Sequence, residues 1–160
     1  MAEISDTLIS SVQRGNVYVQ DVKDRQRRPF KVAFKTTLNR IASEYVNSVD
    51  DDRHIQNIQS FADSLSEDFS GILQNGRARI GVAQKGVNLF LKYLWSFDKI
   101  LEPPHCPIDA FVLRAIRRRE NWTQLDSVET YREIIAACRR VAGNLSLSQW
   151  ELELWNRKAS

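Results

Sequence analysis

The sequence predicts an all-α fold, a compact bundle of six or seven helices. Apolar residues recur at spacings of three and four along most of the chain, which is the period of an amphipathic helix. Only 6 Gly and 4 Pro occur among 160 residues, which argues against a loop-rich all-β domain. The chain has the usual size of one domain and contains no internal repeat or long linker, so we expect a single helical domain over residues 1–160.

The first half of the chain is expected to hold three helices. The first spans 4–14 and is closed by a Gly-Asn pair. The second covers 30–49, with Pro29 in its first turn. The aspartates at 50–52 supply carboxylates for the start of a third helix, whose apolar pattern runs through 55–72.

The second half is expected to begin with the most buried helix of the bundle, at 82–97, because its apolar face is the broadest. A stiff, proline-rich connection leads to a helix at 107–116. Another helix is capped by Asp126 or Ser127 and stopped by Gly143, and a last helix occupies the C-terminus.

Charge is mild in sum but uneven along the chain. The net charge is +3, and acidic residues cluster at 50–52 and 151–153. Basic residues cluster elsewhere: at Arg25, Arg27, Arg28 and Lys31, at Arg77 and Arg79, at Arg114 and Arg117–Arg119, and at Arg139 and Arg140. Such an asymmetry suits either a basic face for phosphate or an ordinary solvated mixture of charges.

Several classes of protein are disfavoured. No apolar run approaches the roughly 20 residues needed to cross a bilayer, and the first residues are too polar for a secretory signal. We therefore expect a cytoplasmic protein without membrane association. Cys106 and Cys138 form neither a CxxC pair nor a disulfide framework, so both are expected to be reduced and structural. His105 and Cys106 are adjacent and make a poor chelate, so no metal and no cofactor are expected.

Two segments carry the most informative motif. The glycine-containing stretch GVAQKGVN at 81–88 begins a helix after a short hairpin, and PIDAFVLRAI follows at 107–116. Together they resemble the helix–hairpin–helix DNA glycosylases of the endonuclease III type. The hairpin of that family reads roughly LPGVGxKTAxxxL, and its later helix reads roughly VDTHVxRV. The resemblance extends from Gly81 to Ile116, about a quarter of the chain.

The match is specific at a few positions. Gly81 and Val82 match the Gly-Val of the hairpin, and Lys85 falls on its lysine. Asp109 falls on the aspartate of the later helix, and Arg114 on the arginine of its ending. The sequence differs from the family pattern where alanine replaces the second glycine of the hairpin, glycine replaces the threonine after the lysine, and Ala-Phe replaces Thr-His after the aspartate.

The resemblance implies a DNA-binding domain and, where catalysis is retained, a DNA glycosylase or abasic-site lyase. Backbone N–H groups at Gly81 would bind a DNA phosphate with help from the helix dipole. Lys85 would attack C1′ of the sugar and form a Schiff base, and Asp109 would stabilise positive charge or move a proton. The target base would be flipped out of the duplex. The flanking basic residues would contact DNA: Arg77, Arg79, Arg114, Arg117 and Arg118.

Two alternatives remain open. In the first, the fold binds DNA without catalysis, Lys85 is a solvated side chain and Asp109 only caps a helix. In the second, the chain is a helical interaction or regulatory protein with no nucleic-acid role. It would then bind a partner or a second copy through Trp150, Leu154 and Trp155.

The four tryptophans divide into two groups. Trp95, Trp150 and Trp155 follow helical patterns and are expected in the core. Trp122 follows a basic stretch in a loop and is the best exposed candidate for stacking on a base, although the sequence does not place it near Lys85.

Overall fold

The computed structural model describes residues 8–10, 12 and 16–160. Its helices pack around a common core. Helices with complete bounds are α1 (Asp24–Ala42), α2 (Asp51–Phe69), α3 (Ile80–Ser96), α4 (Ala110–Ala115), α5 (Val128–Ala142) and α6 (Leu147–Ala159). Residues 8–10 and 12 are helical too, and the rest of the predicted 4–14 helix lies outside the described residues. The predicted all-α bundle of six or seven helices is confirmed. None of the helices within this part of the chain is long and apolar enough to cross a membrane.

The central element is α3, as its broad apolar face predicts. It contacts α1, α2 and α5, as well as the short 3₁₀ turn at Trp122–Gln124. Twelve of its 17 residues are buried, including the polar Gln84, Lys85 and Asn88. A polar side chain is tolerated at such a depth only when it finds hydrogen-bond partners, so these three residues indicate specific contacts inside the bundle.

Most helix starts are fixed by side-chain caps. Asp50, Asp109, Ser127 and Ser146 each accept a hydrogen bond from the backbone N–H three residues further on, at 2.8 to 3.2 Å. Ser127, and not Asp126, therefore caps α5. At the end of α5, Gly143 takes a positive φ of 64°, a conformation that glycine adopts without steric cost.

The second predicted helix is displaced toward the N-terminus. We expected it at 30–49, whereas α1 begins at Asp24 and contains Pro29 in its interior. Its first turns are polar, so the apolar period does not reveal them. The chain then continues past Ala42 as a 3₁₀ turn, Ser43–Val46, which still buries Tyr45 and so prolongs the apolar pattern beyond the α-helix.

Two other boundaries differ from expectation. The third predicted helix ends at Phe69, because Ile72 instead accepts a hydrogen bond from the N–H of Val19 at 3.0 Å. That contact belongs to an isolated antiparallel bridge between Tyr18 and Leu73. The helix expected at 107–116 begins only at Ala110, after an extended approach.

Candidate functional site

Lys85 and Asp109, which the sequence motif singled out, meet in the structure. The Lys85 Nζ donates to Asp109 Oδ2 at 2.8 Å, and their side chains are 10% and 16% exposed. The other carboxylate oxygen, Asp109 Oδ1, accepts from the N–H of Val112 at 3.0 Å and caps α4. Capping and ion pairing therefore occur together, and the cap fixes the carboxylate that faces the amine.

A cleft of about 410 Å³ opens beside this pair. Its volume lies within the usual range for small-molecule sites, roughly 300–1,000 Å³. The cleft is bounded by residues of α3 and α6 and by the segment that precedes α4: Lys85, Leu89, Lys92, Tyr93, Pro107, Asp109, Glu151 and Trp155. Lys85 and Lys92 are two helical turns apart on one face of α3, so their Cα atoms are separated by about 10 Å along the axis.

A second lysine–carboxylate pair lies in the same cleft. Lys92 Nζ donates to Glu151 Oε1 at 2.9 Å, and the Glu151 side chain is only 2% exposed. Its other oxygen, Oε2, is buried and has no hydrogen-bond partner among the described residues. Burial raises the pKa of Glu151, and the charge of Asp109 adds to this effect, while Lys92 and the nearby Trp155 indole oppose it.

Aromatic rings lie beside the lysines of this region, and one of them, Trp155, lines the cleft. The Lys85 ammonium lies 5.8 Å from the ring centroid of Trp122, so the structure places this tryptophan near the amine. Trp155 packs on Phe111 with a centroid separation of 4.8 Å, and Lys158 Nζ lies 4.8 Å from each of the two rings. The cleft thus combines cations with flat apolar faces.

The start of α3 is covered by the chain itself. Gly81 lies in the first turn of α3, and its N–H donates to the carbonyl of Leu125 at 2.7 Å. The N–H of Ile80 donates to Asp126 Oδ1 at 3.1 Å. A Cβ on Gly81 would lie 1.8 Å from the carbonyl oxygen of Trp122. The N–H groups of Ile80 and Gly81 are thus hydrogen bonded within the protein. The absence of a side chain at Gly81 allows the backbone of Trp122 to pack closely against α3.

The five arginines predicted to bind DNA fall into two groups. Arg77 pairs with Asp63 and Asp126, Arg118 pairs with Glu120 and Glu133, and Arg79 is buried and donates to the carbonyl of Thr123. Burial lowers the pKa of the Arg79 guanidinium. By contrast, Arg114 and Arg117 are exposed at the end of α4. Only these two present their charge freely to solvent.

The three residues proposed for self-association do not share an exposed face. Trp150 is 4% exposed and belongs to the core, and Leu154 packs against that core. Trp155 is 37% exposed, contrary to its predicted burial, and lines the cleft. Trp95 is half-buried. Of these three proposed residues, Trp155 is the exposed one, and it lines the cleft.

Gln84 holds the segment before Asp109 against α3. Its Nε2 donates to the carbonyl of Ile108 at 2.7 Å, and its Oε1 accepts from the N–H of Ile108 at 3.0 Å. The side-chain amide thereby satisfies both main-chain polar groups of a fully buried residue. Because Ile108 directly precedes Asp109, this contact positions the carboxylate opposite Lys85.

Behind the cleft, a buried polar network joins three helices. Asn88 Nδ2 donates to Gln84 Oε1 and to the Tyr131 hydroxyl, both at 3.1 Å. Asn88 Oδ1 lies 2.7 Å from His54 Nε2, and the His54 Nδ1 lies 2.5 Å from the Tyr45 hydroxyl. These distances fit a neutral His54 that donates from Nε2 and accepts at Nδ1.

The two histidines, distant in sequence, are neighbours in this network. Their ring centroids are 4.5 Å apart. His105 lies 2.7 Å from the Tyr131 hydroxyl and 3.0 Å from Asp51 Oδ1. Hydrogen bonds from His105 and Arg139 hold the pKa of Asp51 well below its ordinary value. His105 thus has two polar partners that the sequence did not reveal.

Lowering the pH from 7.5 to 5 is expected to reduce the free energy of unfolding through His54. Burial, together with the charge of His105, lowers the pKa of His54 to about 3. Between that value and the unfolded pKa of about 6.5, only the unfolded chain binds the proton, so stability present above pH 6.5 is lost as the pH falls. At pH 5 the loss from His54 alone is about 2 kcal/mol. Urea unfolding at a series of pH values measures it.

The matched variant is His54→Gln, which retains hydrogen-bonding groups and does not titrate. Its stability should depend less on pH than that of the parent. The pKa of Glu151 is raised, so its contribution to the pH dependence of stability has the opposite sign to that of His54. This contribution is the same in both proteins and cancels in the comparison. An identical pH slope in the two proteins would contradict the role given to His54.

The two cysteines are free and buried. They are neighbours, and contact with the Cys138 thiol together with burial raises the pKa of Cys106. Within residues 8–10, 12 and 16–160, no group of three or more His, Cys, Asp or Glu side chains is arranged to hold a metal ion.

Comparison of the chain with protein-family models, with curated proteins and with solved structures gives no match. The cleft and the side chains that line it are therefore the features that indicate a function.

Proposed function

We propose that the cleft between α3, α6 and the segment before α4 is an active site that acts on DNA, at an abasic sugar or at a nucleotide flipped out of the duplex. The observation that carries the proposal is the Lys85–Asp109 pair. The amine lies 2.8 Å from a carboxylate that also caps α4, at the wall of a cleft large enough for a small ligand. A candidate nucleophile beside a group that can take its proton is the arrangement that covalent catalysis by an amine requires.

The reaction begins with proton transfer from the Lys85 ammonium to Asp109. The amine lone pair then forms a bond to C1′ of the open-chain abasic aldehyde. The carbonyl oxygen takes up two protons, one from Asp109 and one from the nitrogen, and leaves as water. The overall step converts one ammonium and one aldehyde into one iminium and one water. Asp109, again ionised, stabilises the positive charge of the iminium.

Two further features support a nucleic-acid substrate. Trp122 lies 5.8 Å from the Lys85 amine and is partly exposed, so it offers a face on which a base can stack. Arg114 is exposed on the same short helix that Asp109 caps, and Arg117 is exposed just beyond the end of that helix. Arg114 lies about 8 Å from the cap along the helix axis, at 1.5 Å per residue. Phosphate contacts are accordingly assigned to these arginines.

Borohydride is expected to trap the protein covalently on duplex DNA that contains an abasic site. Reduction of the iminium links Lys85 to C1′, and mass spectrometry of the digested adduct should locate the modification on Lys85. Lys85→Gln, which keeps a hydrogen-bond donor for Asp109 but has no nucleophilic amine, should form no adduct. Asp109→Asn keeps a good helix cap and removes the charge, so trapping should slow by about a hundredfold.

The control is Lys99→Gln, since Lys99 is exposed and lies outside the cleft. It should form the adduct at the parental rate. Absence of any adduct, under conditions in which a known lyase cross-links, would contradict the proposed chemistry. Salt-dependent DNA binding that persists without an adduct would instead favour the non-catalytic DNA-binding alternative.

A further inference from the structure

The Lys85–Asp109 chemistry leaves Glu151 without a role. Glu151 is the most buried carboxylate that lines the cleft, and its Oε2 has no hydrogen-bond partner within the described chain. A buried carboxylate oxygen without a donor is costly, because nothing replaces the water that it has lost. Because Glu151 lines the cleft, a ligand that displaces the side chains covering Oε2 can bring a donor to it.

Lys92 determines which group of a ligand can lie next to the donor that binds Glu151. One of its three N–H groups is engaged by Glu151 Oε1, and its side chain is 23% exposed toward solvent. The remaining N–H groups can donate to an acceptor on a ligand. Glu151 and Lys92 therefore present an acceptor and a donor side by side, and the complementary ligand edge has an N–H beside a carbonyl or ring nitrogen.

The walls of the cleft favour a flat ligand. Trp155 is 37% exposed, and Tyr93, Leu89 and Pro107 supply further apolar surface. Nucleobases combine a flat π-face with edges on which N–H donors alternate with oxygen or nitrogen acceptors. The cleft offers apolar walls for such a face, and Glu151 and Lys92 offer an acceptor and a donor for such an edge.

We propose that Glu151 and Lys92 recognise the edge of an unpaired nucleobase in the cleft, with Glu151 Oε2 accepting an N–H and Lys92 donating to the adjacent acceptor. This inference rests on the proposed action on DNA and adds a second ligand of the same cleft, a flipped nucleotide whose base is still attached. Glu151 is thus a specificity-determining residue for binding, and it is separate from the Lys85–Asp109 pair that reacts with the abasic sugar.

The test compares DNA duplexes that differ in one unpaired central base. Fluorescein-labelled duplexes carry guanine or N1-methylguanine, and thymine or N3-methylthymine, and binding is followed by fluorescence anisotropy. The parent protein should bind the N–H-bearing base of at least one pair about tenfold more tightly, the size expected for a hydrogen bond to a charged acceptor. Equal affinity within each pair would overturn the inference.

A variant separates hydrogen bonding from the bulk of the added methyl group. In Glu151→Gln, Lys92 holds the amide carbonyl, so the NH₂ group takes the place of Oε2 and an acceptor becomes a donor. The tenfold preference should disappear, whereas a preference that persists in the folded variant would be steric and would overturn the inference. Glu153→Gln, an exposed position on the same helix, should retain the parental preference.

Helical content by circular dichroism verifies that Glu151→Gln folds. If it does not fold, Glu151→Asp retracts the carboxylate by one methylene and should lower the preference to less than about threefold. An unreduced preference in Glu151→Asp would count against the inference.

The inference and the proposed function fail in different ways. Trapping on abasic DNA requires Lys85 and no base, so trapping without an N–H preference would overturn the role of Glu151 alone. An N–H preference without trapping would support base recognition and contradict the covalent chemistry. Failure to bind any of the four duplexes would overturn base recognition, and abasic-site trapping would still report separately on Lys85.

Discussion

Gly81→Ala is expected to lose about 3 kcal/mol or more of its free energy of unfolding. The added Cβ would lie 1.8 Å from the carbonyl oxygen of Trp122 and 3.0 Å from its carbonyl carbon, both of them backbone atoms. Small rotamer changes cannot relieve such a contact. The hydrogen bond from the Gly81 N–H to Leu125 also ties the two segments together, so relief requires separating α3 from the 122–126 connection.

Urea or thermal unfolding followed by circular dichroism measures the effect. Gly71→Ala is the matched control, because a Cβ there meets nothing within 4 Å and Gly71 has no positive φ. Its stability should be unchanged or slightly higher, since alanine restricts the unfolded chain. Parental stability in Gly81→Ala would mean that the 122–126 connection does not pack on the start of α3 in solution.

Asn88→Ala is expected to cost about 3 kcal/mol. Asn88 is fully buried and hydrogen bonds to three side chains, those of His54, Gln84 and Tyr131. Alanine leaves their polar atoms under-satisfied in the core and leaves a small cavity. Each unsatisfied buried group costs about 1–3 kcal/mol, although Gln84 and Tyr131 keep other partners. The free energy of unfolding in urea is the quantity to compare.

Asn39→Ala is the control for the loss of an asparagine side chain. Asn39 lies on the exposed side of α1 and donates only to the carbonyl of Lys35, one turn earlier. Alanine has the higher helix propensity, so this variant should be as stable as the parent or slightly more stable. Equal, small effects in both variants would show that the buried network contributes nothing beyond the burial of its carbon atoms.

The sequence predicted the helical elements well because their signals are local. The apolar period located every helix with complete bounds, and residue types such as Asp50 and Ser127 indicated where helices start. The early start of α1 escaped because its first turns are polar, and because Pro29, which was expected in the first turn, is the sixth residue of the helix. The apolar period detects burial, and it cannot detect a helical turn that lies in solvent.

The candidate site was only partly predictable. Lys85 and Asp109 came from a motif, while Lys92 had an available signal in its seven-residue spacing from Lys85, which places both on one helix face. Glu151 had none, because a glutamate in an amphipathic helix is expected in solvent, and only the docking of α6 buries it. Likewise, sequence spacing cannot show that Leu125 and Asp126 reach the amides at the start of α3.

The paired hydrogen bonds between Gln84 and Ile108 fix one wall of the cleft to the buried interior of the protein. The side-chain amide imitates one residue of a neighbouring strand, so an irregular segment is held as firmly as if it lay in a sheet. The distance between the Lys85 amine and the Asp109 carboxylate is consequently set by contacts inside the bundle and does not depend on a surface loop. Evolution can remodel the rim around α4 and α6, and so change which molecule enters, without disturbing the spacing of the two reacting groups.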